Sequence, residues 1–483
     1  VSATLVLAWQ DGVTAAAADN GALIVQGPGG RVALRGVAPL LAEAFRRCAP
    51  PGETEDRLAE LVRAGGAGAL ARWFYYLDRL GRRGHLCHSA QVNGTRLATL
   101  AAASPSLGLG TARAAADRRY ILSRFAYLRR EGNEAVIESP LARARVTLKD
   151  CRAAALVAAL ASPASAEELA GRTNGLPVDA ITGVLTVLLR AGVLDEAGTE
   201  ENPALQTWEF HDLLFHARSR LGRSDAPRGG TYRLAGRIPP PPALKPAPTG
   251  EARELYRPDL ARLERDDPPL ARVQEQRRSV RDFDAEHPIT DQQLGEFLFR
   301  VARVKDRWQE EMVTSRGTVR MEFASRPYPA GGGLYELEVY AAVNACANLG
   351  SGLYHYGAAQ HRLTRLCGRT AEVAGLLRDS AEGTAIPEGD LQVLLILAAR
   401  FPRVAWKYES IAYALTLKHV GVVLQTMYLA ATAMGLGPCA VGCGDADLFA
   451  RAAGTDYCAE TSVGEFLLGS QRPGPAGPGR ESR

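Results

Sequence analysis

The chain of 483 residues carries 46% hydrophobic and 23% charged side chains, the composition of a soluble globular protein with room for two to four domains. Its 57 Lys and Arg against 53 Asp and Glu leave a formal net charge of +4, too small to point to nucleic acid; the basic residues are mostly Arg, which favours phosphate and carboxylate recognition. Eight Cys without CxxC pairs or Cys/His ligand spacing exclude a disulfide framework and read as reduced thiols of a cytoplasmic protein without a metal site, Cys439 and Cys443 among them as small core residues.

The N-terminal stretch VSATLVLAWQDG lacks the basic region and cleavage site of a signal peptide, and no uncharged apolar run reaches membrane-spanning length. Residues 1 to about 236 carry a weak internal repeat. GALIVQGPGGRVALRG reads as a hairpin around Gly27 to Gly30, and NEAVIESPLARARVTLKD as a second one. Each is followed by three helical segments. In the first copy these are APLLAEAFRRCA, ETEDRLAELVRAG and GALARWFYYLDRLGRRGHL. In the second they are CRAAALVAALA, SAEELAGRT with Ser165 and Glu168 as a capping box, and PVDAITGVLTVLLRAGVL with Pro177 near its start and Gly192 at its end. The outline is a winged helix present twice, with modules over 1–125 and 126–236. Reading bases needs polar side chains along the third helix; the second copy offers only Arg190, and in the first Trp73, Phe74, Tyr75 and Tyr76 crowd the arginines. Peptide or protein docking, by strand addition at a hairpin edge, fits better than DNA. RIPPPPALKPAPTG, 237–250, reads as a polyproline linker with no core, and the Pro/Gly-rich tail 471–483 as disordered.

Residues 251–470 alternate helices and strands, an α+β layer fold. ARVQEQ closes a helix that enters RRSVRDF, and Thr290 with Gln293 caps DQQLGEFLFRVARV. The loop RPYPAGGG leads into LYELEVYAAV, where Leu337, Val339, Ala341 and Val343 alternate; GLYHYGAAQHRLTRL reads as a hairpin and LQVLLILAA as a strand covered on both faces. From Trp406 the spacing predicts one long helix, apolar all round, ended by Gly435, Gly437 and Pro438 and followed by the strand CAVG, the helix DADLFARAA and the strand EFLLG. Only its first turn is polar. Lys407 and Tyr408 there are candidate proton carriers, because burial brings their protonation into play, with Lys407 lowered towards neutrality and favouring the Tyr408 phenolate. Arg277, Arg278, Ser279 and Arg281 suit a doubly charged phosphate, and the glycines of RPYPAGGG let a backbone approach a flat ligand.

Taken in order, RRSVRDF, PYPAGGGLYELEVY, GLYHYGAAQHRL and KYESIAYALTLKHVGVVLQTMYLAATAMGLGPCAVG resemble the nitroreductase-like flavoproteins, and more narrowly the SagB-type azoline dehydrogenases of ribosomal peptide natural-product pathways, over residues 270 to 470. The N-terminal half is similar to the winged-helix extensions of longer members. The resemblance implies FMN, with Arg277, Arg278, Ser279 and Arg281 around its phosphate and ribityl chain, Pro329, Ala330, Gly331 and Gly332 against the flavin, and Gly435, Leu436 and Gly437 near it. It also implies a homodimer with flavin sites at the interface and the long helix buried there, Lys407 and Tyr408 as the catalytic pair, an azoline-containing precursor peptide as substrate and a cyclodehydratase as partner. Ala330, Gly333 and Glu336 depart from the usual loop, and Ser470 stands where a basic residue often follows, leaving Arg472 as an open substitute. The competing readings are a flavin-free docking subunit of a heterocyclase complex and a generic NAD(P)H-dependent nitro or quinone reductase; the large extension weighs against the second, and retention of the Lys-Tyr pair and the arginines against the first.

Overall fold

A computed structural model describes residues 3–17, 22–27, 30–102, 112–172, 175–223 and 226–472. The chain divides into two compact units, 1–226 and 227–483.

In the first unit both hairpins form as the alternation predicts, Leu23–Gly27 with Gly30–Leu34 and Glu134–Glu138 with Ala144–Leu148. The six expected helices form as Pro39–Arg47, Glu55–Arg63, Ala69–Gly81, Cys151–Ala159, Ala166–Arg172 and Val178–Arg190, and Pro203–Gln206 and Phe210–Ser219 follow them. Ser165 and Glu168 make the reciprocal bonds of a capping box. The two expected modules, divided at 125, share a sheet. An antiparallel seven-stranded sheet, in the order Glu53–Thr54, Ala3–Trp9, Leu86–Val92, Thr95–Ala102, Ala144–Leu148, Glu134–Glu138, Tyr127–Glu131, runs through both. Leu86–Val92 escaped the alternation test because every position is buried, polar ones included. His88 bonds Glu55 at 2.6 Å, Ser89 bonds Thr99 at 2.8 Å, and Gln91 donates to the Pro51 carbonyl at 2.7 Å.

The second unit is built on an antiparallel sheet ordered Ala252–Glu254, Arg362–Cys367, Gly352–Gly357, Leu337–Val343, Val393–Arg400, Glu460–Ser470, Leu436–Val441. Helices cover both faces. Val339, Ala341, Leu395 and Leu397 pack with Phe297 of helix Asp291–Ala302 and with Met427; Tyr340, Ala342, Leu394 and Ile396 pack with Leu377 of helix Ala371–Thr384 and Phe449 of helix Ala446–Ala453. The α+β assignment holds, and Thr290 and Gln293 form the expected capping box. A two-stranded ribbon, Asp306–Thr314 with Gly317–Ser325, has no counterpart in the sequence reading.

Three expectations need correction. The segment 237–250 is stitched to the second unit and is no free spacer, so the boundary lies at 226/227. Polyproline backbone makes no internal hydrogen bonds and leaves its carbonyls available. Here they take up arginines: Arg403 donates to the Pro241 carbonyl at 2.6 Å and Arg400 to that of Pro242, while Trp406 donates to Ile238 at 2.8 Å. Ala243 is fully buried, and Lys245 pairs with Glu460 at 2.6 Å. The long helix, in turn, starts only at Ala412 and ends at Ala433. Trp406 caps a separate short helix, Phe401–Ala405, and Ser410 at φ +61° breaks the path between them. Nor is the long helix buried all round: Tyr413 and Leu417 are 48% and 39% exposed, and Gly421 and Gln425 continue that open stripe. Cys439 is buried but Cys443 is exposed. Among the described residues no helix is long and apolar enough to cross a membrane; residues 473–483 of the tail lie outside them.

Candidate functional site

The sequence-predicted residues gather at the two ends of the long helix. At its N-terminal end lies the glycine loop, where Gly331–Gly333 makes one tight turn with Gly332 at φ +62°. The Gly331 N–H donates to His419 Nε2 at 2.7 Å. An amide can only donate, so Nε2 is the acceptor and Nδ1 carries the proton, directed at Glu336 Oε1 at 2.7 Å. Glu336 is fully buried and its second oxygen has no hydrogen-bond partner among the described residues. The loop is thus tied to the helix by a His–Glu clamp.

Gly332 is where Lys407 and Tyr408 converge. A Cβ added there would lie 2.6 Å from Lys407 Nζ and 2.7 Å from Tyr408 OH. Only a residue without a side chain leaves both polar tips over the loop. Three rings surround the amine: Tyr408 at 5.4 Å, Phe323 of the ribbon at 5.6 Å and Tyr232 at 6.0 Å from Nζ. Among the described residues no carboxylate lies within ion-pair distance of Lys407. Burial, with the charge of Arg403 behind it, pulls the Lys407 pKa below its ordinary value, against Glu310 acting upwards. Burial pushes the Tyr408 phenol up, so the expected phenolate is disfavoured and the group stays a hydrogen-bond donor.

The arginine segment sits at the other end. Arg277 lies over the Tyr428 ring at 5.3 Å. Tyr428 OH accepts the Ala440 N–H at 2.8 Å and shares a hydrogen bond with Ser279 Oγ at 2.8 Å. The Val280 N–H donates to Pro438 at 2.8 Å, which fastens the segment to the strand Leu436–Val441. Arg277, Arg278 and Arg281 have no carboxylate partner among the described residues, leaving three positive charges uncompensated. Gly435, at φ +69°, ends the helix in open space, whereas Gly437 is pressed against Phe283, 3.0 Å from where its Cβ would be, and Leu436 is buried. Arg472 is engaged elsewhere, donating to the Phe283 carbonyl and pairing with Asp282 at 3.3 Å.

His419 and Tyr428 are nine residues apart, roughly 13.5 Å of helix axis. One chain therefore keeps Pro329 to Gly332, Lys407 and Tyr408 apart from Arg277 to Arg281 and Gly435 to Gly437. Sequence reading missed His419, Phe323, Tyr428 and Tyr232. His419 alone left a signal, a polar residue inside an apolar helical run; Glu336 stood out only as a departure from the family loop.

Family models match three stretches in series: the ThcOx helix turn helix domain over residues 1–110, cyanobactin oxidase ThcOx over 120–225, and the nitroreductase family over 275–469. The chain belongs to the SagB-type, nitroreductase-like proteins of the cyanobactin-oxidase kind. This oxidoreductase is 28% identical over 193 residues to a nitroreductase by name from Methanocaldococcus jannaschii, 40% of this chain and 85% of that one. Among solved structures it is similar to a nitroreductase by name from Ralstonia eutropha, at 20% identity and TM-score 0.35, covering 51% of this chain and 100% of the other. It is also similar to a chain of the Escherichia coli microcin synthetase McbBCD complex with truncated pro-MccB17 bound, at 18% identity and TM-score 0.34, covering 56% and 95%. Likeness at that level carries no functional argument.

Proposed function

We propose that this oxidoreductase is an FMN-dependent azoline dehydrogenase that converts thiazolines or oxazolines of a ribosomally made precursor peptide into thiazoles or oxazoles. The observation that carries the reading is the convergence of Lys407 Nζ and Tyr408 OH over Gly332, on a loop clamped from below by His419. Azoline oxidation removes a proton from one ring carbon and a hydride from its neighbour, and FMN, when bound, supplies the hydride acceptor. The residues fit that cofactor: three arginines beside Ser279, without carboxylate partners among the described residues, suit a terminal phosphate, and three consecutive glycines keep their own side chains off the loop that a flat ring would approach. Lys407, its pKa lowered by burial, is placed over Gly332 to take the ring proton. Tyr408, kept as a phenol, donates to the azoline and orients it. A cyclodehydratase makes the azoline, and the first unit docks the peptide.

The open stripe of Tyr413, Leu417, Gly421 and Gln425 favours a homodimer. Two copies packed antiparallel along it set the arginine end of one helix beside the lysine end of the other, completing two sites.

The test is direct. Purified protein is expected to be yellow and to release FMN on denaturation, and to remove two hydrogens per ring from an azoline peptide by mass spectrometry. Lys407→Ala and Tyr408→Phe are expected to keep fold and flavin yet lose on the order of a hundredfold in turnover. Full activity in Lys407→Ala removes the base and with it this mechanism.

A further inference from the structure

Residues 227–274 lie outside all three family matches, yet part of that segment reaches the Lys407–Tyr408 pair. Gly229 and Gly230 form a two-residue antiparallel ladder with Glu409 and Tyr408. The Tyr232 N–H donates to the Lys407 carbonyl at 3.2 Å, and Thr231 Oγ1 donates to Glu409 at 2.8 Å. The backbone turns there through Gly229 at φ +91° and Tyr232 at φ +52°, the latter in a region that residues with a side chain rarely adopt. That conformation directs the Tyr232 ring edge-on to Trp406 at 6.1 Å and to within 6.0 Å of Lys407 Nζ. The charged and titratable groups around the amine are Arg403 of the short helix, Glu310 of the ribbon, and the phenols of Tyr408 and Tyr232.

We propose that Tyr232 is a positioning residue for Lys407: its ring closes the third side of the enclosure made with Phe323 and Tyr408, holding the amine away from water and over Gly332. The proposal deepens, and rests on, the reading of Lys407 as the proton acceptor. The amine has no carboxylate to fix it among the described residues, so the rings do so. Removing one ring admits water and lets the flexible stem swing.

The chain has five lysines, 149, 245, 305, 407 and 418, so reductive 13C-methylation gives a spectrum that resolves them, with Lys407→Arg assigning the signal. In the full-length protein the Lys407 methyl signal is expected to titrate below the other four. In Tyr232→Leu, and in Tyr232→Asn, which tolerates the left-handed backbone, it moves up to join them; Tyr232→Phe, which keeps the ring, restores the wild-type titration. With azoline peptide, the Leu and Asn variants lose about tenfold in kcat with little change in KM, and Phe recovers most of it. A Lys407 signal that titrates with the other lysines in the wild type, or that stays unmoved in folded Leu or Asn variants, overturns the proposal. So does an equal loss in Phe and Leu. Absence of azoline turnover in the wild type sinks the enzymatic reading instead, while the titration still decides the role of Tyr232.

Discussion

Gly332→Ala puts the geometry of the site to a quantitative test. The added methyl would sit 2.6 Å from Lys407 Nζ and 2.7 Å from Tyr408 OH, so both tips must retreat by roughly 1 Å to reach the ~3.5–4.0 Å of ordinary contact. Both atoms end flexible side chains, so the retreat costs little stability. The residue also has φ +62°, where an alanine costs about 1–2 kcal/mol, equivalent to a melting shift of roughly 2–8 °C for a domain of this size. Catalysis is far more sensitive: a 1 Å misplacement of reacting groups costs on the order of a hundredfold, about 2.7 kcal/mol of barrier. Gly333→Ala is the matched control, because its φ of +68° carries the same strain while its Cβ comes no closer than ordinary contact, Phe323 at 3.4 Å and the Ala324 carbonyl at 3.7 Å. Turnover of an azoline peptide, flavin absorbance and melting temperature are measured on both variants. Gly332→Ala should fall about a hundredfold below Gly333→Ala at similar stability. Equal turnover in the two refutes the convergence of Lys407 and Tyr408 as the working geometry.

Arg281→Ala should lower the FMN retained through gel filtration by severalfold, since it removes one of three unpaired guanidiniums; undiminished occupancy takes Arg281 out of the phosphate site. A fragment starting at Pro227 should fold and bind flavin, whereas one starting at Glu251 takes one acceptor each from Arg400 and Arg403, leaving Glu338 to the first and the Leu334 and Glu322 carbonyls to the second, and should melt lower; equal melting of the two returns 237–250 to the role of a spacer. Burial alone would raise the Glu55 carboxyl, but His88 and Arg190 outweigh it and hold it at about 2 against an ordinary 4.5. A depressed folded value makes this contribution complete above pH 4.5 and lost as pH falls towards 2, so Glu55→Gln should flatten the fall in melting temperature over that window. An unchanged slope removes the Glu55 pairing from the acid stability of the first unit.

The elements legible in the sequence are those whose side chains follow a single periodicity. Leu337–Val343 alternates cleanly between two cores, and Thr290 with Gln293 announces its helix start. What stayed hidden depends on contacts between distant segments. Leu86–Val92 buries His88, Ser89 and Gln91 because partners elsewhere satisfy them, and no local pattern encodes such partners. The proline run reads as solvated because its carbonyls find their donors more than a hundred residues away. The apolar circumference of the long helix was read as burial within one chain, though a stripe through Tyr413, Leu417, Gly421 and Gln425 faces outwards. In the site, Lys407 and Tyr408 were legible as polar residues at the edge of an apolar run. Their meeting point at Gly332 needed the fold, and so did Tyr232, which comes from a stretch with no periodicity at all.

The separation of the two clusters along one helix has a genetic consequence. Where each site draws its arginines from one chain and its lysine from another, two defective chains can repair each other. A chain without Arg277, Arg278 and Arg281 and a chain without Lys407 spoil both sites when each pairs with itself. A mixed pair concentrates both lesions in one site and leaves the other whole. Random re-pairing makes half of all dimers mixed, so an equal mixture of two inactive preparations recovers about a quarter of the wild-type sites.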